Sequence, residues 1–295
     1  MNNAKPLPNV LVVGGASVNQ IVHLSERLTG APQTVWPSEV YEAIGGTGAG
    51  KAMNLAKLGF NVSMHSLIGQ DNKADTLKRY FEHPNIDCYF TQTATATEQH
   101  TNLMMPNGER ISLFTHPPAN PPELDWSEIA ALLPQMDLAA ISILDYTRPT
   151  LHLAQAANVP IWMDLHDYDG QSAYYDEFIQ AAEVIFVSSD NLPNYQAFME
   201  NQIAAGKSLV VCTHGAKGSE ALDAAGRWYQ QPILPGFQLV DSNGAGDAYF
   251  SGFLYGHVQQ RSIQDCMRLG SLVAGMCIES KALASEDLSA AVMDA

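Results

Sequence analysis

The chain has 295 residues, 46% of them hydrophobic, enough to bury a sizeable core as one large α/β domain or two smaller ones, so disorder is not the expected state. Acidic residues outnumber basic ones 31 to 15, a formal charge of -16. Such a surface repels phosphate backbones and anionic headgroups, which excludes nucleic acid and membrane surfaces as expected partners and requires any anionic ligand to be met locally, by a metal ion or by backbone N–H groups.

Near the N-terminus only the short run 10–13 is apolar, with no long hydrophobic segment behind a basic flank. Export and membrane spanning are therefore not expected, and the cytoplasm is the expected compartment. Short β-branched runs recur at 62–67, 139–144, 159–163, 184–187 and 209–212, and read as buried strands. Between them, 52–58, 75–81, 151–157, 174–182 and 195–204 have helical character. This alternation predicts an α/β fold with a doubly wound, mostly parallel sheet covered on both faces.

Two regions break the rhythm, 21–41 and 88–116. The second alternates Thr91, Thr93, Thr95 and Thr97 with other residues, then continues through Leu103 and Met105 to a turn signal at Pro106-Asn107-Gly108, as a hairpin does. Insertions at about 14–45 and 88–117 of a single domain, 1–295, either pair into a small β-sheet lid or remain surface hairpins. The proline-rich stretch 117–122 reads as a stiff connector, and the acidic tail from Glu286 as a solvated end. Cys88, Cys212, Cys266 and Cys277 are scattered and read as reduced core thiols.

The run Gly45-Gly-Thr-Gly-Ala-Gly50-Lys51-Ala52 has the glycines and lysine of a phosphate loop. Ala52, however, stands where that loop needs a hydroxyl for magnesium, and the preceding 39–44 is too polar for a buried central strand. A better reading is that Gly45 and Gly46 let the backbone approach a ligand, with a helix over 52–58 starting beneath it, an arrangement suited to recognising hydroxyls.

Further on, Asp241-Ser-Asn-Gly-Ala-Gly-Asp247 leads into a segment with apolar residues at 249, 250, 253 and 254, which predicts an amphipathic helix. Glycines just before a helix leave the N–H groups of Gly244, Ala245 and Gly246 pointing at an anion, where the helix dipole favours negative charge. Asp247 then either takes a proton from an alcohol during phosphoryl transfer or merely caps the helix.

The run 241–247 followed by Ala248 closely resembles the C-terminal signature of the ribokinase-like (PfkB) carbohydrate kinase family. Four more segments resemble that family in order: Val13-Gly-Gly-Ala-Ser-Val-Asn19, Gly45-Gly46 with Ala56-Lys-Leu-Gly59, Leu67-Ile-Gly-Gln-Asp71, and Val211-Cys-Thr-His-Gly215-Ala-Lys-Gly218. The resemblance implies an ATP-dependent kinase acting on a hydroxyl of a small sugar, with magnesium, and allows for a monovalent cation. It makes Asp247 the base and Gly244, Ala245 and Gly246 the anion hole, and assigns ATP to Ser188, Asn191, Thr213, Gly215, Gly218 and Ser271. The acceptor falls to Asn19, Gly45, Gly46, Gly50, Lys51 and Asp241; on a lid strand, alternation puts Glu98, His100 and Asn102 on one face, where they either read the polar edge of a polyol or nucleoside or form an exposed polar face.

Three positions depart from the family pattern. Asn19 stands for an aspartate that accepts from sugar hydroxyls, and Gly50 for a ligand-binding asparagine; at 188–191 the run Ser-Ser-Asp-Asn lacks the glutamate of the family's Asn-x-x-Glu. Asp190 is there a water-mediated metal contact or a plain turn residue, so no protein ligand of magnesium is named. Lys51 reaches a carboxylate or phosphate on the acceptor or is a solvated helix lysine. Asp164, His166, Asp167 and Asp169 match no metal-ligand spacing and read as strand-end residues lining the crevice. The rivals are a nucleoside kinase and a non-catalytic binding protein of the same fold, and a lid sheet with an apolar outer face suggests a homodimer.

Overall fold

The computed structural model describes residues 7–106, 110–121 and 123–293. Its strands, in chain order, are β1 (Asn9–Val13), β2 (Ser17–Leu24), β3 (Pro37–Gly45), β4 (Asn61–Ile68), β5 (Ile86–Gln92), β6 (Gln99–Met104), β7 (Arg110–His116), β8 (Leu138–Ile141), β9 (Ile161–Asp164), β10 (Val184–Ser188), β11 (Leu209–Thr213), β12 (Ser219–Asp223) and β13 (Trp228–Gln231). The helices that matter here are α1 (Thr47–Lys57), α2 (Asn72–Tyr80), α3 (Ser127–Leu132), α4 (Arg148–Ala156), α5 (Asp176–Ala181), α6 (Tyr195–Ala204), α7 (Ala245–Val258) and α8 (Ile263–Ile278).

Strand side chains alternate between faces, so an apolar run without alternation must find a core on both sides. The central strands do so. Val10 and Val12 of β1 join one core with Leu55 of α1, Leu77 of α2, Phe250 and Phe253 of α7 and Val273 of α8. Leu11 and Val13 join the opposite core with Ile129 of α3, Leu151 of α4, Phe178 of α5 and Met199 of α6. Each such fully buried side chain is worth about 1.5–3 kcal/mol. The sheet has nine strands in the order β13-β12-β11-β10-β9-β8-β1-β4-β5, parallel from β11 to β5 and antiparallel at β12 and β13. The strand order reverses beside β1, and the crevice of a doubly wound sheet opens at the carboxyl ends of β1 and β8.

A separate four-stranded sheet, ordered β3-β2-β6-β7, is built from two distant parts of the chain: β2 pairs antiparallel with β3 and parallel with β6, which forms an antiparallel hairpin with β7. Of the expected turn at Pro106-Asn107-Gly108, Asn107 and Gly108 lie outside the described residues, as does Pro122 of the proline-rich stretch.

Several expectations need correcting. Residues 88–92 belong to β5, which pairs in parallel with β4 in the main sheet, so the second inserted segment begins later than 88 and the threonines at 93–97 lie between strands. Cys88, on that edge strand, is exposed, whereas Cys212, Cys266 and Cys277 are buried thiols. The tail from Glu286 is not simply solvated, because Leu288 and Met293 are buried in the core. Nor is α7 amphipathic: residues 247–256 are all buried, since the sheet covers one side and α8 the other. Gly252 permits that approach, as a Cβ there would stand 2.5 Å from the Leu269 carbonyl oxygen of α8. Among the described residues no helix is long and apolar enough to cross a membrane.

Candidate active site

The glycine run 45–50 is not a phosphate loop. It passes from lid strand β3 into α1, which starts at Thr47, earlier than the expected 52, so that Gly50 and Lys51 are helical and buried. Gly46 is the hinge, with φ 93° and the chain passing so close to the Gly15 carbonyl that no Cβ fits. Gly45 ends β3 against Asn19 and Ser17 of β2. At Gly50 a Cβ would collide with Asp247 Oδ2 and lie 2.8 Å from Asp247 Cβ, so the missing side chain is what admits the Asp247 carboxylate against α1.

Asp247 is the third residue of α7, behind Gly244, the N-cap with φ 81°. The Ala245 N–H donates to the Ser242 carbonyl at 3.3 Å, which removes it from the expected trio of free amides. Those of Gly246 and Asp247 lie in the first turn, where a helix has no earlier carbonyl to receive them, and no heavy atom lies within 4 Å of where a Gly246 Cβ would stand. The start of α7 is thus an open helix end, of the kind that suits an anion, with a buried carboxylate one residue on.

Lys51 is neither a solvated lysine nor free to meet an acceptor. It is 4% exposed, and its Nζ donates to Asp247 Oδ1 at 2.5 Å and to Asp164 Oδ2 at 3.1 Å. Asp164 ends β9, and its carboxylate also accepts from the His166 N–H at 3.0 Å while the His166 ring stands 3.4 Å away. Among the described residues no cluster of three or more His, Cys, Asp or Glu side chains is arranged to hold a metal. Burial pushes the Lys51 ammonium down, but Asp247 and then Asp164 outweigh it and hold the proton on. Burial pushes Asp164 up, but His166 and Lys51 hold it below the ordinary carboxylate range. Asp247 ends above that range: burial dominates, Lys51 and His166 pull it down, and the Asp164 charge pushes it up again.

The small sheet contributes a second group of buried polar side chains. Asn19 is 2% exposed, and its Oδ1 accepts from the His100 N–H at 3.0 Å. The His100 ring meets Glu98 Oε1 at 2.7 Å and packs on Phe114, with ring centroids 4.0 Å apart. Glu98 Oε2 lies 3.0 Å from where a Gly15 Cβ would be, and Asn102 is buried with an Oδ1 that has no partner among the described residues. Asp71, the N-cap of α2, fixes this group by accepting from the Thr97 N–H and hydroxyl at 2.8 and 2.7 Å. Asp241 is buried; its Oδ1 accepts from the Asn243 N–H and its Oδ2 from the Tyr41 hydroxyl of β3 at 3.3 Å. Arg110 of β7 donates to Asn243 at 3.4 Å, and Lys281, just beyond α8, pairs with Glu39 of β3, so the small sheet is tied to the loop that precedes α7 and to the segment that follows α8.

Five of the six residues assigned to the nucleotide gather at two adjacent strand ends. Ser188 ends β10, and its hydroxyl accepts from the Asp190 N–H at 3.2 Å; Asn191 donates to the Asp167 carbonyl. Thr213 ends β11, and its carbonyl accepts from the Ser189 N–H at 3.0 Å. Gly215 and Gly218 both have positive φ around a tight turn. Ser271 lies on α8, and among the described residues no hydrogen bond joins it to either strand end.

Two features of the site were not visible beforehand. Asp164 lies 113 residues from Lys51, with only its position at a strand end as a signal, and Tyr41 lies 200 residues from Asp241. A buried carboxylate one residue behind an open helix start is an arrangement suited to phosphoryl transfer to a hydroxyl. Residues 8–290 match the profile described as pfkB family carbohydrate kinase, and the chain belongs to that family. It is 30% identical over 271 residues to the acarbose 7(IV)-phosphotransferase of Actinoplanes sp. (strain SE50/110), with 90% of each chain covered. To a 5-dehydro-2-deoxygluconokinase of Clostridium beijerinckii it is 25% identical over 268 residues, covering 80% of this chain and 78% of the relative. A solved microbiome-derived acarbose kinase superposes with a TM-score of 0.83 at 25% identity, covering 98% of each chain.

Proposed function

We propose that the protein transfers the γ-phosphoryl group of ATP to a hydroxyl of a neutral sugar, with Asp247 as general base. The observation that carries this reading is the pairing of an open helix start with a buried carboxylate one residue on. The acceptor O–H bond breaks toward Asp247 Oδ2 as its oxygen attacks the γ-phosphorus. The bond between that phosphorus and the β,γ-bridging oxygen breaks, and its electron pair leaves with ADP. The amides of Gly246 and Asp247 offset charge on the phosphate oxygens, a contribution made by fixed dipoles that need no reorganisation. Magnesium enters as part of the metal–nucleotide substrate and is assigned no protein ligand.

The group of buried polar side chains from the small sheet supports a neutral sugar over a sugar acid. Its buried groups Asn19, Glu98 and Asn102 include one carboxylate and no lysine or arginine, and the nearest buried cation, Lys51, is already held by two carboxylates. Acarbose, named in two of the relatives, belongs first in an acceptor panel, beside neutral monosaccharides, nucleosides and sugar acids. ADP release that depends on an added neutral sugar, and falls about 10²–10⁴-fold in Asp247→Asn with nucleotide binding retained, is the expected result. Substantial turnover in that variant removes the base assignment; binding without turnover across the panel removes the kinase reading in favour of a binding protein.

The small sheet acts on this reading as a lid, and its outer face supports a homodimer. Val22, Val40, Leu103 and Ile111 occupy one register row, with Leu113 beside them on the same face, and Val40, Ile111 and Leu113 are each more than 40% exposed.

A further inference from the structure

Asp247 is not a free carboxylate. One oxygen, Oδ1, is held by Lys51, while Oδ2 lies over Gly50, where any side chain would cover it, and no hydrogen bond reaches Oδ2 among the described residues. Lys51 is in turn held from behind by Asp164 at 3.1 Å and lies over the Phe250 ring at 5.2 Å, so its ammonium has little freedom to leave. All three charged groups are 9% exposed or less. We propose that Lys51, anchored by Asp164, is a positioning residue for Asp247: it fixes the carboxylate by one oxygen and leaves the other to receive the acceptor proton. This rests on the reading of Asp247 as the base.

The arrangement answers a conflict in the chemistry. A lone cation against a base in a dry site would hold the base in place but weaken its affinity for a proton. Sharing that cation with a second carboxylate keeps the geometry and returns part of the basicity, because Asp164 both draws on Lys51 and adds its own negative charge. The groups that face Asp247 are Lys51 from α1, Asp164 and His166 from the end of β9, Tyr80 from α2 and Cys277 from α8. Of these, Lys51 alone touches the carboxylate through a hydrogen bond.

The two arms of the clamp therefore act on the base with opposite sign, and the acid limb of the kcat–pH profile reads it in the bound enzyme. Lys51→Met removes the cation, disfavours ionised Asp247 and moves the limb to higher pH. We expect kcat at pH 7 to fall about 100-fold with the KM for ATP within about twofold. Asp164→Asn leaves Lys51 to Asp247 alone and moves the limb to lower pH, with a smaller loss of kcat. Opposite displacements support the clamp; limbs that stay with the wild type, or move together, overturn it. Should Lys51→Met fail to fold, Asp164→Asn decides alone: an acid displacement supports the clamp and an unmoved limb overturns it. Asp247→Asn separates the two readings, since an inactive Asp247→Asn beside unchanged Lys51→Met and Asp164→Asn profiles removes the clamp and keeps the base.

Discussion

Gly246 stands in the first turn of α7 with open space on the side where a Cβ would project. Gly246→Val should therefore leave the melting temperature nearly unchanged while lowering kcat/KM for ATP at least about tenfold, because the added bulk meets the phosphates and not the protein. Wild-type kinetics would remove the anion hole from this helix start. Gly244 cannot serve the same test: its φ of 81° is left-handed and a Cβ would lie 2.9 Å from Leu283 Cδ2, so substitution there costs about 1–2 kcal/mol before any ligand binds. His65 gives a second prediction at this scale. It is buried on β4 against Trp126, with centroids 4.6 Å apart, and burial pushes its ring down to about 4. An unfolded histidine takes a proton below about pH 6.5. Between pH 6.5 and 4 the unfolded chain thus binds the extra proton, and the stability contributed by neutral His65 is lost as pH falls through that window. Urea titrations should find the wild type losing about 2 kcal/mol more between pH 7 and 5 than His65→Leu does. Equal losses would mean that the ring charges without cost in the folded state.

The four-stranded sheet presents polar groups to the site and apolar ones away from it. A face with Val40 47%, Ile111 43% and Leu113 48% exposed, on a lid with two unpaired edges, is expected to be covered by a second copy. Leu113→Glu with Val40→Glu should then halve the mass seen by light scattering, since like charges would face each other across a twofold axis. A wild type that is monomeric at micromolar concentration would exclude this interface. Elements also differ in how far they could be read from sequence. The central strands were legible because their unbroken apolar runs need two cores, and Leu11 and Val12 enter opposite ones. Strands β12 and β13 were not foreseen: Ser219–Asp223, next to the sheet's edge, and Trp228–Gln231, at the edge, are short strands of mixed polarity, with no periodicity to separate them from loop. At the site, Asp247 and its glycines form one contiguous run and could be read locally. The partners of Lys51 could not, because they lie 113 and 196 residues away and only the folded sheet brings strand end and helix start together.

Over the whole molecule the net charge of -16 sets a condition on how an anionic nucleotide arrives. The attractive elements at the α7 start are dipoles of short range, and Lys51, the buried cation against Asp247, is neutralised by Asp247 and Asp164. At long range a nucleotide therefore meets a repulsive field, which added salt weakens as the Debye length falls from about 30 Å at 0.01 M to about 8 Å at 0.15 M. The sign is opposite to that of an electrostatically steered enzyme: kcat/KM for ATP should rise about two- to fivefold over this range, while kcat/KM for a neutral sugar acceptor stays nearly constant. Ionic strength should be set with tetramethylammonium chloride at fixed potassium and magnesium, so that any specific need for those cations is held constant. A fall in kcat/KM for ATP with salt would mean that local positive charge, such as Arg110 and Lys281 at the lid's edge, outweighs the field of the molecule. In that case the double variant Arg110→Gln with Lys281→Gln should restore the rising dependence.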